Sequence, residues 1–236
     1  MSMALETDHL RVRANALFKQ FKRHGTTDSS GRLLVVGAGG GANAARFGKE
    51  FGETHCCDIN LRLVEDSGSH VTQADGTRLP YADDSMAASI AISVIEHVLP
   101  FSERPRLIAE LVRVTEPGGT VFIQIPNNNF PVELHTKLPF IQWIPGGVRV
   151  AAHFATELKY IDIPDPEQLE EWATAANADV NALEPLVYPP DAVPAFQGVY
   201  AACAHLGLWK WCPTGWTLSL TPRPTSCSQS FEEYFS

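Results

Sequence analysis

Leu33-Leu34-Val35-Val36-Gly37-Ala38-Gly39-Gly40-Gly41-Ala42 is the stretch on which the fold turns. Its four apolar residues have the length and branching of a buried strand, and the residues after Gly41 space their apolar side chains as a helix over Ala42–Phe51. A strand, a glycine-rich turn and a helix in that order form the first unit of a parallel α/β sheet. Glycines suit the turn because some positions need positive φ and a ligand must approach the backbone without meeting a Cβ. The amides at the helix start favour an anionic group, either a pyrophosphate or a carboxylate. A glycine-rich turn with no ligand is the competing reading.

Working outward, the alternation continues. Leu33–Val36, Thr54–Cys57, His70–Gln73, Ala87–Ile92 and Thr120–Ile125 read as strands, with helices over Ala42–Phe51, Ile59–Asp66 and Glu103–Thr115. In the last of these, Leu107, Ile108, Leu111 and Val112 fall on one stripe while Glu110 and Arg113 fall outside it, and Pro117-Gly118-Gly119 is the stop. Asp165-Pro166-Glu167-Gln168 carries an N-cap, a first-turn proline and a capping-box glutamine, opening a helix with Leu169, Trp172, Ala173 and Ala176. Strands at Val180–Leu183 and Trp216–Thr221, with a helix within Val193–His205, complete the pattern. The expected fold is therefore α/β, a doubly wound, mostly parallel seven-stranded sheet with helices on both faces.

Around that core, residues 1–31 form an amphipathic basic helix and linker. Leu10, Leu17, Phe18 and Phe21 make its apolar stripe, and packing on the domain edge is favoured over a membrane-surface role. Residues 32–222 form the domain, interrupted at about 127–160 by a proline-, glycine- and aromatic-rich insertion, and residues 223–236 read as a flexible tail.

The chain has 236 residues, enough for one substantial domain, and a formal charge of -9, which disfavours a phosphate backbone as partner. Its five cysteines, Cys56, Cys57, Cys203, Cys212 and Cys227, are odd in number and lack C-x-x-C spacing, so they read as free thiols in a reducing compartment. No metal site is assigned. No apolar run reaches the roughly 20 residues of a membrane span, so a cytoplasmic protein with at most peripheral membrane contact is expected.

Asp58 ends the second strand, 17 residues beyond Gly41, where a carboxylate accepts hydrogen bonds from ribose hydroxyls. Two cofactors compete, because Gly37-x-Gly39-x-x-Ala42 also satisfies the dinucleotide fingerprint of an NAD-dependent oxidoreductase. Three further blocks decide between them: Gln73-Ala74-Asp75-Gly76-Thr77-Arg78-Leu79-Pro80-Tyr81-Ala82-Asp83-Asp84-Ser85, then Ile90-Ala91-Ile92-Ser93-Val94-Ile95-Glu96-His97-Val98, then Glu110-Leu111-Val112-Arg113-Val114-Thr115-Glu116-Pro117-Gly118-Gly119. With the glycine loop, these ordered blocks resemble the class I S-adenosylmethionine-dependent methyltransferases, small-molecule branch, over residues 33–126. The resemblance implies a Rossmann-like methyltransferase fold and S-adenosyl-L-methionine as cofactor. It further implies that Gly37, Ala38, Gly39 and Gly41 line its methionine and ribose side, that Asp58 and Ile59 hold the ribose and its surroundings, and that Asp75 and Gly76 meet the adenine edge. Ser93 and His97 would border the methyl-donor end.

Two positions depart from the family pattern: Val35 stands where an acidic residue is usual, and Ala87 where an Asp is usual. A non-catalytic cofactor-binding partner protein is therefore an alternative. For an enzyme, the expected reaction is methyl transfer to a small-molecule or glycan- or lipid-linked acceptor, with an oxygen nucleophile preferred. Such a nucleophile needs a base, and histidine is the side chain poised near neutral pH. His135, in the insertion, is the preferred candidate, ahead of His97 and His153, with Glu133 a weaker one. Phe130 to Trp143 would wall an apolar acceptor pocket, or else serve as a dimer contact or membrane footing.

Overall fold

The computed structural model describes residues 2–28, 30–60, 70–127, 129–130, 163–192, 205–207 and 213–224, with side chains from residue 8 onward. The proposed helices over Ile59–Asp66 and within Val193–His205, nearly all of the 127–160 insertion and most of the C-terminal tail lie outside these residues. Seven strands, β1 (Arg32–Val36), β2 (Glu53–Asp58), β3 (His70–Gln73), β4 (Met86–Ile92), β5 (Thr115–Pro126), β6 (Ala178–Leu186) and β7 (Gly215–Pro222), form one sheet in the order β3-β2-β1-β4-β5-β7-β6. The pairings among β1 to β5 are parallel, and β7 lies antiparallel between β5 and β6.

β1 shows why these residues make a central strand. Leu34 and Val36 join the core on one face, with Leu107, Ile108 and Leu111 of α3 (Arg104–Val114) and Leu169 and Ala173 of α4 (Pro166–Ala175). Leu33 and Val35 join the core on the other, with Leu17, Phe18 and Phe21 of α1 (Ser2–His24) and Phe47 of α2 (Ala42–Phe47). A strand covered on both faces has no polar side to show, so its sequence runs apolar throughout.

α1 packs as a domain helix. Phe21 sits edge-on to Phe47 and Phe122, with ring centroids 5.4 and 5.7 Å away, and the Arg46 guanidinium lies 3.6 Å over the Phe18 ring. Glu184 of β6 ties the helix end, accepting from Gln20 Nε2 and lying 3.1 Å from His24 Nε2. The apolar stripe is thus consumed by the core, except for Leu10, which is exposed where a buried position was expected.

Element ends differ from the sequence expectation for local reasons. α2 stops at Phe47 and tightens into a 3-10 turn over Gly48–Glu50, where a Cβ on Gly48 would collide with Thr54 Oγ1. α3 ends at Val114, ahead of Pro117-Gly118-Gly119, because Thr115 already has extended backbone and its Oγ1 donates to Leu111 O at 2.7 Å. α4 opens as read, with Asp165 N–H donating to Gln168 Oε1 at 3.0 Å. No described helix is long and apolar enough to cross a membrane.

Candidate functional site

The strand order reverses between β1 and β4, and ligands of doubly wound sheets bind outside the carboxyl ends of strands at such a switch point. Register brings those ends level: Val36 pairs with Cys57 on one side and Ala91 on the other, while Asp58 pairs with Gln73. The glycine loop, Asp58, the Asp75 turn and Ser93 are therefore carried to one edge by four adjacent strands.

Gly37, Gly39 and Gly41 have φ of 66°, 47° and 74°, all in the left-handed region that favours glycine. A Cβ on Gly37 would strike Val94 Cγ2, whereas one on Gly40 would meet nothing within 4 Å. The loop is thus closed on the β4 side and open at its crest. Ala38 is buried beneath it, in the same apolar cluster as Val35 and Ala44.

Asp58 is buried, and its carboxylate fixes the loop: Gly39 N–H donates to Oδ2 at 3.1 Å and Asn60 N–H to Oδ1 at 2.9 Å. Each oxygen retains a second lone pair for a further donor. Ile59, next in sequence, is 70% exposed, an apolar side chain held at the rim. Asp75 closes its own turn, its Oδ1 accepting from Thr77 N–H at 2.9 Å and Thr77 Oγ1 at 2.8 Å. Gly76 owes its smallness to the core, since a Cβ there would lie 2.8 Å from Leu107 Cδ1 and 2.9 Å from Val36 Cγ1. Burial, reinforced by the charges of Asp58 and Asp75, pushes the neighbouring Cys57 thiol up to about 11, so it stays protonated.

Ser93 leaves β4 with φ 53°, its Oγ donating to Gln124 Oε1 at 2.9 Å and its N–H to Gln124 O at 3.0 Å. A 3-10 turn over Ile95–His97 follows and holds His97 at the surface. Glu96 beside it is buried, as is Arg104, whose Nη2 donates to Glu96 O at 3.3 Å. His135, His153 and Glu133 lie outside the described residues. Among the described residues, no three His, Cys, Asp or Glu side chains cluster as metal ligands.

The two departures have packing explanations. Val35 sits among apolar residues of the α1 face, where an unpaired carboxylate would be costly. Ala87 is buried in the same cluster and packs against Gly31, where an added Cβ would come within 2.5 Å of the Ala87 Cβ. Gln124 and Val94 shape the site but escaped the sequence reading, because their partners are 31 and 57 residues away and no local motif marks them.

Residues 34–123 match the family described as "Methyltransferase domain". An uncharacterized methyltransferase of Mycobacterium avium (strain 104) is 34% identical over 143 residues, which cover 56% of this chain and 53% of the relative. The tRNA (carboxymethyluridine(34)-5-O)-methyltransferase of Arabidopsis thaliana is 39% identical over 72 residues, 29% of this chain and 18% of that protein. Phosphoethanolamine N-methyltransferase 2 of Haemonchus contortus, solved with S-adenosyl-L-methionine, superposes with a TM-score of 0.60 at 16% identity, covering 89% of this chain and 53% of that one. The chain spans about half the length of these relatives or less. The family match selects between the two cofactor classes left open by the glycine loop, and the strand order agrees with it. Residues 34–123 thus match a methyltransferase domain, in agreement with the family that the ordered sequence blocks resemble.

Proposed function

We propose that the chain transfers a methyl group from S-adenosylmethionine to a small-molecule or glycan- or lipid-linked acceptor, with an oxygen atom as nucleophile. The observation that carries the cofactor half is the cradle at the switch point, in which a buried Asp58 carboxylate is bonded directly to the left-handed glycine loop. The residues fit the cofactor's parts. Asp58 has lone pairs for the ribose hydroxyls, Ile59 offers an apolar rim to the adenine face, and Asp75 keeps Oδ2 for a base-edge donor. Gly37, Ala38, Gly39 and Gly41 let the methionine portion approach the backbone.

When bound, the sulfonium supplies an electrophilic methyl carbon for in-line displacement, so the protein's task is chiefly to hold the nucleophile in place. An acceptor hydroxyl would have to be held in line with that carbon and give up its proton to a base of this chain as its oxygen takes the methyl group. His135 is the proposed base, with His97 second, and Phe130 to Trp143 supplies apolar and aromatic residues for an organic acceptor. An RNA acceptor is the second reading. It is favoured by the Arabidopsis relative and by the outward stripe of α1, where Arg11, Lys19 and Lys22 are exposed.

The deciding experiment is calorimetric titration of the ligand-stripped protein with S-adenosylmethionine, S-adenosylhomocysteine and NAD. Binding of the first two and not NAD is expected. Asp58→Ala and Asp75→Ala should each weaken binding, the former by about tenfold to a hundredfold for a lost charge-assisted contact. Parental affinity in both variants would rule out this site. His135→Ala should lower turnover far more than cofactor affinity, and an unchanged rate removes it from the mechanism. Binding without turnover on any small-molecule or RNA acceptor would indicate the non-catalytic alternative.

A further inference from the structure

Ser93 is a serine in the left-handed region at the carboxyl end of β4. The other two non-glycine residues with positive φ among those described are Asp84 and Asn177, side-chain types that enter this region readily. Serine needs an external hold, and the structure shows it: both the N–H and the Oγ of Ser93 donate to one residue, Gln124. Gln124 is a 2% exposed amide near the end of β5, paired with Ile92 of β4 and Thr217 of β7. A buried amide is unfavourable unless bonded, and packing alone does not explain a glutamine there. The turn that Gln124 fixes has a defined target. Val94, the residue after Ser93, packs beside Gly37, its Cγ2 only 2.4 Å from where a Gly37 Cβ would lie.

Building on the cofactor reading above, we propose that Gln124 is a positioning residue of the cofactor site. It holds Ser93 left-handed so that Val94 presses on Gly37 and sets the glycine loop. The influence runs from β5 through the β4 turn to the β1 turn, and Gln124 itself need not touch any ligand.

The test uses the full chain and the probe S-adenosylhomocysteine. Gln124→Met keeps the length of the side chain and removes its acceptor oxygen. It should weaken binding by about tenfold and shift the Gly37 and Val94 amide resonances of the ligand-free protein. Ser93→Ala, which leaves the buried amide in place and removes only the tether, should do the same and serves if Gln124→Met fails to fold. Ser93→Gly adopts the turn without a tether, so the Gln124→Met/Ser93→Gly double variant should return to within about twofold of Ser93→Gly alone. Unchanged affinity and unchanged Gly37 resonances in Gln124→Met and Ser93→Ala would overturn the proposal. So would a double variant as weak as Gln124→Met, which would mean that Gln124 acts on the ligand directly. Should the parent bind no S-adenosylhomocysteine, the cofactor reading fails, while the Gly37 and Val94 resonances still decide whether Gln124 holds the turn.

Discussion

Single residues show two different reasons for glycine at this site. Gly37 needs its positive φ and its closeness to Val94, whereas Gly76 is small because Leu107 and Val36 press on it from the core. Gly76→Ala should therefore cost about 1–3 kcal/mol by overpacking, read as a lowered denaturation midpoint with or without ligand. Titration gives a second residue-scale prediction. Burial pushes the Tyr188 phenol up to about 12, Glu96 adding to the shift and Arg13 opposing it, and burial likewise raises the Cys57 thiol. Both folded-state groups hold their protons to higher pH than the unfolded chain does. The stability they confer is complete below the unfolded values and falls as pH rises from about 9 to 11 for Cys57 and from about 10 to 12 for Tyr188. Tyr188→Phe should flatten the upper part of that fall in melting curves taken across this range. The glycines and Asp58 were legible in sequence because loop chemistry is written locally. Ser93's conformation was not, since it is set by a glutamine from another strand.

At the scale of elements, α3 does more than bury a stripe. Its polar side, which the periodicity placed only outside the apolar stripe, clamps the segment leading from β3 to β4. Arg113 donates to Tyr81 O, Leu79 O, Asp83 and Glu110, while Glu110 Oε2 accepts Leu79 N–H at 2.7 Å. Glu110 and Asp83 hold the guanidinium's proton well above its ordinary range, so the clamp is charged at every working pH. Arg113→Ala should cost about 1–2 kcal/mol, the lower part of the range for charge-assisted bonds because the group is partly solvated. Faster proteolysis within residues 79–85 would be its signature. α1 gives the apolar counterpart: Phe21→Ala removes the centre of an aromatic cluster and should cost about 3–5 kcal/mol, measured by urea unfolding. Helix identity followed from spacing and capping, as at Asp165. Helix ends did not, because Thr115 and Gly48 respond to contacts from other parts of the sheet.

For the whole molecule, the strand alternation and the four ordered blocks carried the topology. Charge is unevenly shared, with the exposed stripe of α1 basic in a chain of net charge -9. Replacing Lys19 and Lys22 with Glu should leave S-adenosylhomocysteine affinity unchanged, since both side chains are exposed and neither belongs to the glycine loop, Asp58 or the Asp75 turn. It should abolish any salt-sensitive RNA retention, and retention unchanged by the swap would locate RNA contacts elsewhere. The antiparallel β7 has a consequence for the order in which the protein is made. It is the last of the seven strands to leave the ribosome, yet it occupies an interior place, with β5 on one side and β6 on the other. Some ninety residues are synthesised between β5 and β7, and throughout that interval one side of β5 offers an unfilled ladder. β6 emerges with no strand partner among the described residues. The nascent chain therefore carries an open edge on β5 until the last of the described strands arrives to fill it.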